Sequence, residues 1–259
     1  MDLENAMTSR RQFLAGVATG TAAVIAGTGA LSRLGVRSVP SNGRLSARPR
    51  TPADSIGPGT HRLSVGGTRE TTLLVPSSYR ATKPAPFILA LHGATMTSDS
   101  ALEANRDAAE RHGIIVLAPS SRGVSWDAIR EDFGVDLAMI DRALGQTFAQ
   151  CNVDPTRLAV SGFSDGATYA VSLALINGDL FTHCLAYSAG FVIPGPRRGK
   201  PKFFLSHGRQ DRILPIDQCG RRIAADLKKD GYGVRFEEFD GPHTVPPGMV
   251  DTATAWFLG

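Results

Sequence analysis

Three cysteines among 259 residues are too few to staple a fold together. Cys151, Cys184 and Cys219 are also odd in number, so in an exported chain at least one thiol stays free or bridges between molecules. Cys184, in the apolar stretch Cys184-Leu185-Ala186-Tyr187, reads as a buried strand residue, and sequence alone lends no support to a Cys151–Cys219 bridge. No pair of these residues has metal-ligand spacing, and no histidine stands where it would make a cysteine the nucleophile. Neither a metal nor an organic cofactor is expected. There is no internal repeat. The apolar run Ala15–Ala26 is too short and too rich in glycine to read as a membrane span.

A basic catalytic region is lacking as well. The formal net charge is +4, and residues 31–59 account for all of it, with Arg33, Arg37, Arg44, Arg48 and Arg50 set against Asp54. Residues 60–259 are therefore near neutral, which argues against nucleic acid as a partner. At most, 31–59 touches an anionic surface such as the cell envelope.

The N-terminus carries Ser9-Arg10-Arg11-Gln12-Phe13-Leu14 ahead of the weakly apolar run. This resembles a twin-arginine export signal, with small residues for cleavage at Thr28-Gly29-Ala30. It predicts residues 1–30 as the signal and the twin-arginine machinery as a partner. The protein would then work in the periplasm or outside the cell, membrane-anchored if the signal is not cleaved. No cysteine follows the run, so a lipoprotein anchor is unsupported. Residues 31–59, rich in Pro, Ser, Gly and Arg without periodicity, read as a disordered linker. Residues 60–259 are long enough for one domain.

Within that domain stands Gly162-Phe163-Ser164-Asp165-Gly166, directly after the apolar run Leu158-Ala159-Val160-Ser161. A G-x-S-x-G between strand and helix is a nucleophile elbow, in which glycines remove the Cβ atoms that would clash in a sharp turn. The pentapeptide alone is weak, because 28 glycines make chance matches common. Its specific content is an order: serine, then an acid, then a histidine, with an oxyanion loop upstream.

Three histidines follow Ser164. His183 and His207 adjoin apolar runs and read as strand-end residues. His243 lies in Gly241-Pro242-His243-Thr244, a loop after the last strand, from which it can reach back to the serine as general base. Asp211, in the loop after Phe203–His207, leads as the acid. Asp217 reads better as a helix N-cap, and Asp240 adjoins the histidine loop. The oxyanion hole needs two amides: Asp165, and Ala94 with or without Thr95, in the loop after Pro86–Leu91. His92 reads as packing that loop. Trp126 either lines the substrate pocket or is an ordinary packed tryptophan.

The segments Leu91-His92-Gly93, Gly162–Gly166, His207–Pro215 and Gly241-Pro242-His243 resemble the α/β-hydrolase superfamily, and within it the phospholipase/carboxylesterase group and poly(3-hydroxyalkanoate) depolymerase-like esterases. The resemblance runs from about Thr60 to the C-terminus. It implies a mostly parallel central sheet flanked by helices, and a serine esterase acting through an acyl-enzyme on a small-molecule or lipid ester. A polyester depolymerase or feruloyl-type esterase is the alternative. Asp165, following the nucleophile, departs from the small or glutamine-like residue of many carboxylesterases.

The patterning agrees with an α/β architecture. Strands are predicted near Glu70–Val75, Phe87–Leu91, Ile114–Ala118, Leu158–Ser161, Cys184–Tyr187, Lys202–Ser206 and Val234–Phe239. Helices are predicted near Ser100–Arg111, Val135–Gln150, Gly166–Ile176, Gln218–Lys229 and Val250–Phe257. The connection Gly190–Lys200 is short, so little or no lid is expected over the serine. A serine peptidase would want a gating domain or an acidic pair that binds the substrate amine, and neither is visible. A non-catalytic binding protein would normally have lost a member of the triad.

Overall fold

The computed structural model describes residues 42–52, 54–66 and 69–259. The predicted export signal lies outside them. Eight strands form one sheet: β1 (Gly59–Leu63), β2 (Thr71–Val75), β3 (Ala85–Leu91), β4 (Ile115–Pro119), β5 (Val153–Phe163), β6 (His183–Tyr187), β7 (Lys202–Gly208) and β8 (Val234–Phe239). Six helices accompany them: α1 (Ser98–His112), α2 (Asp127–Arg130), α3 (Val135–Gln150), α4 (Asp165–Ile176), α5 (Gly220–Lys229) and α6 (Met249–Leu258).

The spatial order is β1-β2-β4-β3-β5-β6-β7-β8, antiparallel from β1 to β4 and parallel from there on. After β3 the chain moves one way to β4, then crosses to the other side of β3 for β5. The crevice at the carboxyl ends of β3 and β5 is thus a topological switch point, where open α/β sheets place their ligands.

The alternation of strand side chains divides the core. Phe87, Leu89 and Leu91 enter the larger cluster, shared with α3, α4 and α5. Ile88 and Ala90 point the opposite way, into a cluster with α1 and α6. Both faces of the parallel strands are covered, so they read as continuous apolar runs and were legible. β1 lacks that signature. It is a largely exposed edge strand, and only its pairing with β2 defines it.

The expected disordered linker differs from the structure over its described part. Leu45 is 1% exposed, and its amide donates to the Oδ1 of Asn177 at 2.9 Å. The amides of Ser46 and Ala47 donate to Asp141 on α3. Arg44 and Arg48 both reach Asp179. Residues 42–50 therefore strap α3 to the end of α4. The arginines that read as solvated linker charge are held by a carboxylate 131 to 135 positions away, a pairing no local pattern reveals.

Past β6 the chain has no helical insertion before β7. That segment is tied down on α4, through the Ile193 amide to the Ser172 hydroxyl and the Arg198 amide to the Leu175 carbonyl. It does not cover the carboxyl edge of the sheet.

Candidate active site

β5 delivers Ser164 into a turn with φ 56° and ψ −119°, a conformation that strains any residue with a Cβ. The surroundings hold it there. The Ser164 amide donates to the Tyr187 carbonyl at 2.9 Å, and its carbonyl accepts from the Thr168 amide and hydroxyl. The two glycines are obligatory. A Cβ on Gly162 would stand 2.3 Å from the Gly166 oxygen, and one on Gly166 would stand 2.2 Å from the Leu91 oxygen. Helix α4 can approach the end of β3 only because those atoms are missing.

The His243 Nε2 lies 2.9 Å from the Ser164 Oγ, and its Nδ1 lies 2.6 Å from the Asp211 Oδ2. Asp211 is buried, and its Oδ1 accepts the amides of Ile213 and Leu214 at 2.9 and 2.8 Å. An acceptor at Nδ1 fixes the proton there, leaving Nε2 bare toward the serine hydroxyl. The competing acids do not reach. Asp240 pairs with Arg209, and Asp217 pairs with Arg221 rather than capping α5, whose N-cap is Cys219.

A second buried histidine stands behind the acid. The His207 Nε2 donates to the Leu214 carbonyl at 2.7 Å and lies 3.2 Å from the Asp211 Oδ2. Its Nδ1 has no partner, and burial holds its pKa below the usual value. The neutral ring thus pins the turn that carries Asp211. His207 shapes the strand end, as the sequence suggests. Its contact with the acid was not foreseen, although a histidine four positions before the acid was the available signal.

In the loop after β3 the Thr95 amide is committed to the Val124 carbonyl at 2.6 Å, which leaves Ala94 as the amide available to a ligand. The Asp165 amide opens α4, where the first N–H groups have no acceptor within the helix. The Asp165 carboxylate accepts from the Ser125 hydroxyl, tying the β4 loop to the elbow. His92 packs this region: its Nδ1 faces the Gly93 carbonyl, its Nε2 accepts the Ser121 amide, and burial lowers its pKa.

Trp126 follows the packed alternative. It is 1% exposed, lies between His92 and Tyr169, and donates its indole N–H to the His92 carbonyl at 2.9 Å. It props the oxyanion loop from behind. All three cysteines are free and buried. Burial pushes the Cys151 thiol up to about 12 and the Cys219 thiol up to about 11, so neither offers a thiolate near neutral pH.

Ser164, His243 and Asp211 thus form one continuous hydrogen-bonded chain, with two amides beside the serine. Such an arrangement can move a proton from a hydroxyl to an imidazole while a carbonyl oxygen gains charge nearby.

No protein-family profile matches the chain. It is 31% identical over 234 residues to the probable feruloyl esterase C of Aspergillus oryzae, covering 75% of this chain and 85% of that one. It is 31% identical over 125 residues to the probable acetylxylan esterase A of Aspergillus fumigatus, covering 45% of this chain and 33% of that one. Among solved structures, a substrate-bound fluorophosphonate-binding serine hydrolase of Staphylococcus aureus superposes with a TM-score of 0.63 at 16% identity, over 78% of this chain and all of that one. The acetyl xylan esterase from Aspergillus awamori gives 0.58 at 17% identity, over 77% and 98%. The chain is a carboxylic ester hydrolase of the α/β-hydrolase fold, and it belongs to the family of the feruloyl esterase C proteins.

Proposed function

We propose that Ser164 is the nucleophile, His243 the general base and acid, and Asp211 the residue that orients and stabilises the imidazole. The observation that carries this reading is the unbroken chain Asp211–His243–Ser164, anchored on a backbone-strained serine. Ser164 attacks the ester carbonyl as His243 takes its proton. The resulting oxyanion rests on the amides of Ala94 and Asp165. Collapse of that intermediate expels the alcohol with the proton from His243. Water, deprotonated by the same imidazole, then releases the acid and restores the serine. Each step returns the proton it borrows.

Among ester classes, hydroxycinnamoyl esters are the substrate we favour over phospholipids or polyesters, because relatives matched across most of their length are named feruloyl esterases. The protein is proposed to act after export, on the strength of the paired arginines Arg10-Arg11 and the apolar run behind them. No helix among the described residues is long and apolar enough to cross a membrane.

The test is hydrolysis of methyl ferulate, p-nitrophenyl acetate and p-nitrophenyl decanoate by the wild type and by Ser164→Ala. Turnover of ferulate that vanishes in the variant is expected. Turnover confined to the long-chain ester would move the substrate to lipids. Undiminished turnover in Ser164→Ala would remove the serine from the mechanism.

A further inference from the structure

The carboxyl edge of the sheet bears a second feature, on the face covered by α1 and α6. A cleft of about 310 Å³ opens beside His243 and Gly93. Leu91, Met96, Phe163 and Val245 give it apolar walls. Met96, 36% exposed, marks its mouth. Its buried end is different in kind, for there it meets Asn105 of α1 and Tyr187 of β6, which are 6% and 3% exposed.

Both residues carry an unmet polar atom. The Asn105 amide nitrogen is spent on the Ala101 carbonyl at 2.8 Å, and its Oδ1 has no partner. The Tyr187 hydroxyl faces Ser161 but makes no well-formed hydrogen bond. Buried polar atoms almost always find partners, because desolvating one without a bond is costly. Two such atoms, from different elements, at one end of one apolar cleft are not explained by core packing. Leucine and phenylalanine would fill the same space without the penalty.

Their chemistry defines what satisfies them. The Asn105 Oδ1 can only accept, whereas the Tyr187 hydroxyl can donate as well as accept. A single ligand hydroxyl answers both, donating to one and accepting from the other. The cleft also borders the relay. The Phe163 ring stacks on the His243 ring at 4.9 Å between centroids, and Gly93 immediately precedes Ala94. On the opposite side of the serine, the segment from Arg122 to Asp136 lines a larger cleft with charged side chains that include Arg122, Asp127 and Arg130. A polar alcohol suits that side, and an apolar acid suits this one.

We propose that the α1/α6-side cleft is the acyl subsite, and that Asn105 and Tyr187 make it selective for acids whose apolar body ends in a hydroxyl. This rests on the reading of Ser164 as nucleophile. The hydroxyl is either phenolic or aliphatic, and the substrate series separates the two.

The experiment measures kcat/KM on methyl esters with the alcohol held constant: cinnamate, 4-hydroxycinnamate and 4-methoxycinnamate, with hexanoate and 6-hydroxyhexanoate beside them. Wild-type protein is expected to favour the hydroxylated member of one pair by about tenfold or more. The methoxy ester should lose that advantage, since it cannot donate to Asn105. In Tyr187→Phe and Asn105→Leu the ratio within the pair should fall toward one. A wild-type ratio near one in both pairs, or a ratio that neither variant moves, overturns the proposal.

Calorimetric binding of 4-hydroxycinnamic and cinnamic acids to Ser164→Ala protein tests the cleft without turnover and without variants in its floor. Tighter binding of the hydroxy acid by about tenfold is expected, together with tighter binding of 6-hydroxyhexanoic than hexanoic acid if the hydroxyl is aliphatic. Equal binding within both pairs overturns the subsite. Failure of the wild type on every ester, with the binding preference intact, would fault the nucleophile assignment and leave the subsite standing.

Discussion

Ser164 is held by groups that do no chemistry. Its strained backbone depends on Gly162 and Gly166, on the Tyr187 carbonyl and on Thr168. Gly166→Ala should therefore abolish activity and destabilise the fold, because the new Cβ would meet the Leu91 carbonyl, which is backbone and cannot step aside. Thermal melting alongside ester turnover checks both effects. Asp211→Asn makes a cleaner test of the relay. The amide presents a donor where His243 needs an acceptor, so the wrong tautomer faces the serine and kcat should fall by roughly 10³–10⁴-fold. Unaltered far-UV and near-UV circular dichroism would assign the loss to the tautomer and not to unfolding. At this scale the sequence was most legible. Ser164, Asp211 and His243 announce themselves by type and order, because the mechanism requires those groups in a chain order tied to the strands. Trp126 was not legible, since a buried and a ligand-facing tryptophan read alike until the indole N–H is seen on the His92 carbonyl.

Elements met by long-range contacts were harder to read. β1 and the strap at 42–50 have no periodicity of their own, and their structure comes from β2 and from Asn177, Asp141 and Asp179. Leu45→Ala tests whether the strap belongs to the core. Truncating a residue only 1% exposed should cost about 2–4 kcal/mol in urea unfolding, whereas a solvated linker would lose almost nothing. The end of the sheet offers a pH test. His183 packs edge-on against Trp256 and Phe257, and burial lowers its pKa to about 4 from an ordinary 6.5. Between those values the unfolded chain binds the proton and the folded chain does not, so stability falls as pH drops through the window. Allowing for solvent screening of a partly exposed ring, the loss is about 1–2 kcal/mol. His183→Gln should flatten stability against pH between 6.5 and 4, and an unchanged slope would assign it to other groups.

For the whole molecule, the strap redraws the domain. A chain beginning at Thr60 lacks Leu45 and the arginine clamp on Asp179, and it leaves Asn177 without the Gly43 carbonyl that its amide nitrogen meets. It should melt at least several degrees below a chain beginning at Asn42, by about 2–4 °C for each kcal/mol lost in a domain of this size. Equal melting temperatures would return 42–59 to the status of a linker. The sequence by itself determined what depends on local pattern and on residue type: alternating buried strands and amphipathic helices, an elbow between two glycines, and nucleophile, acid and base in order along the chain. The tertiary structure decided what depends on which distant groups meet. It left the Ala94 amide available by committing Thr95, and it placed His207 behind Asp211. It turned a run of arginines into a strap, and it gathered Asn105 and Tyr187 at the end of one cleft. The physical reason is that propensity and hydrophobic period act over a few residues, whereas a hydrogen bond or a buried contact takes whatever partner the packing supplies, however far away it lies in the chain.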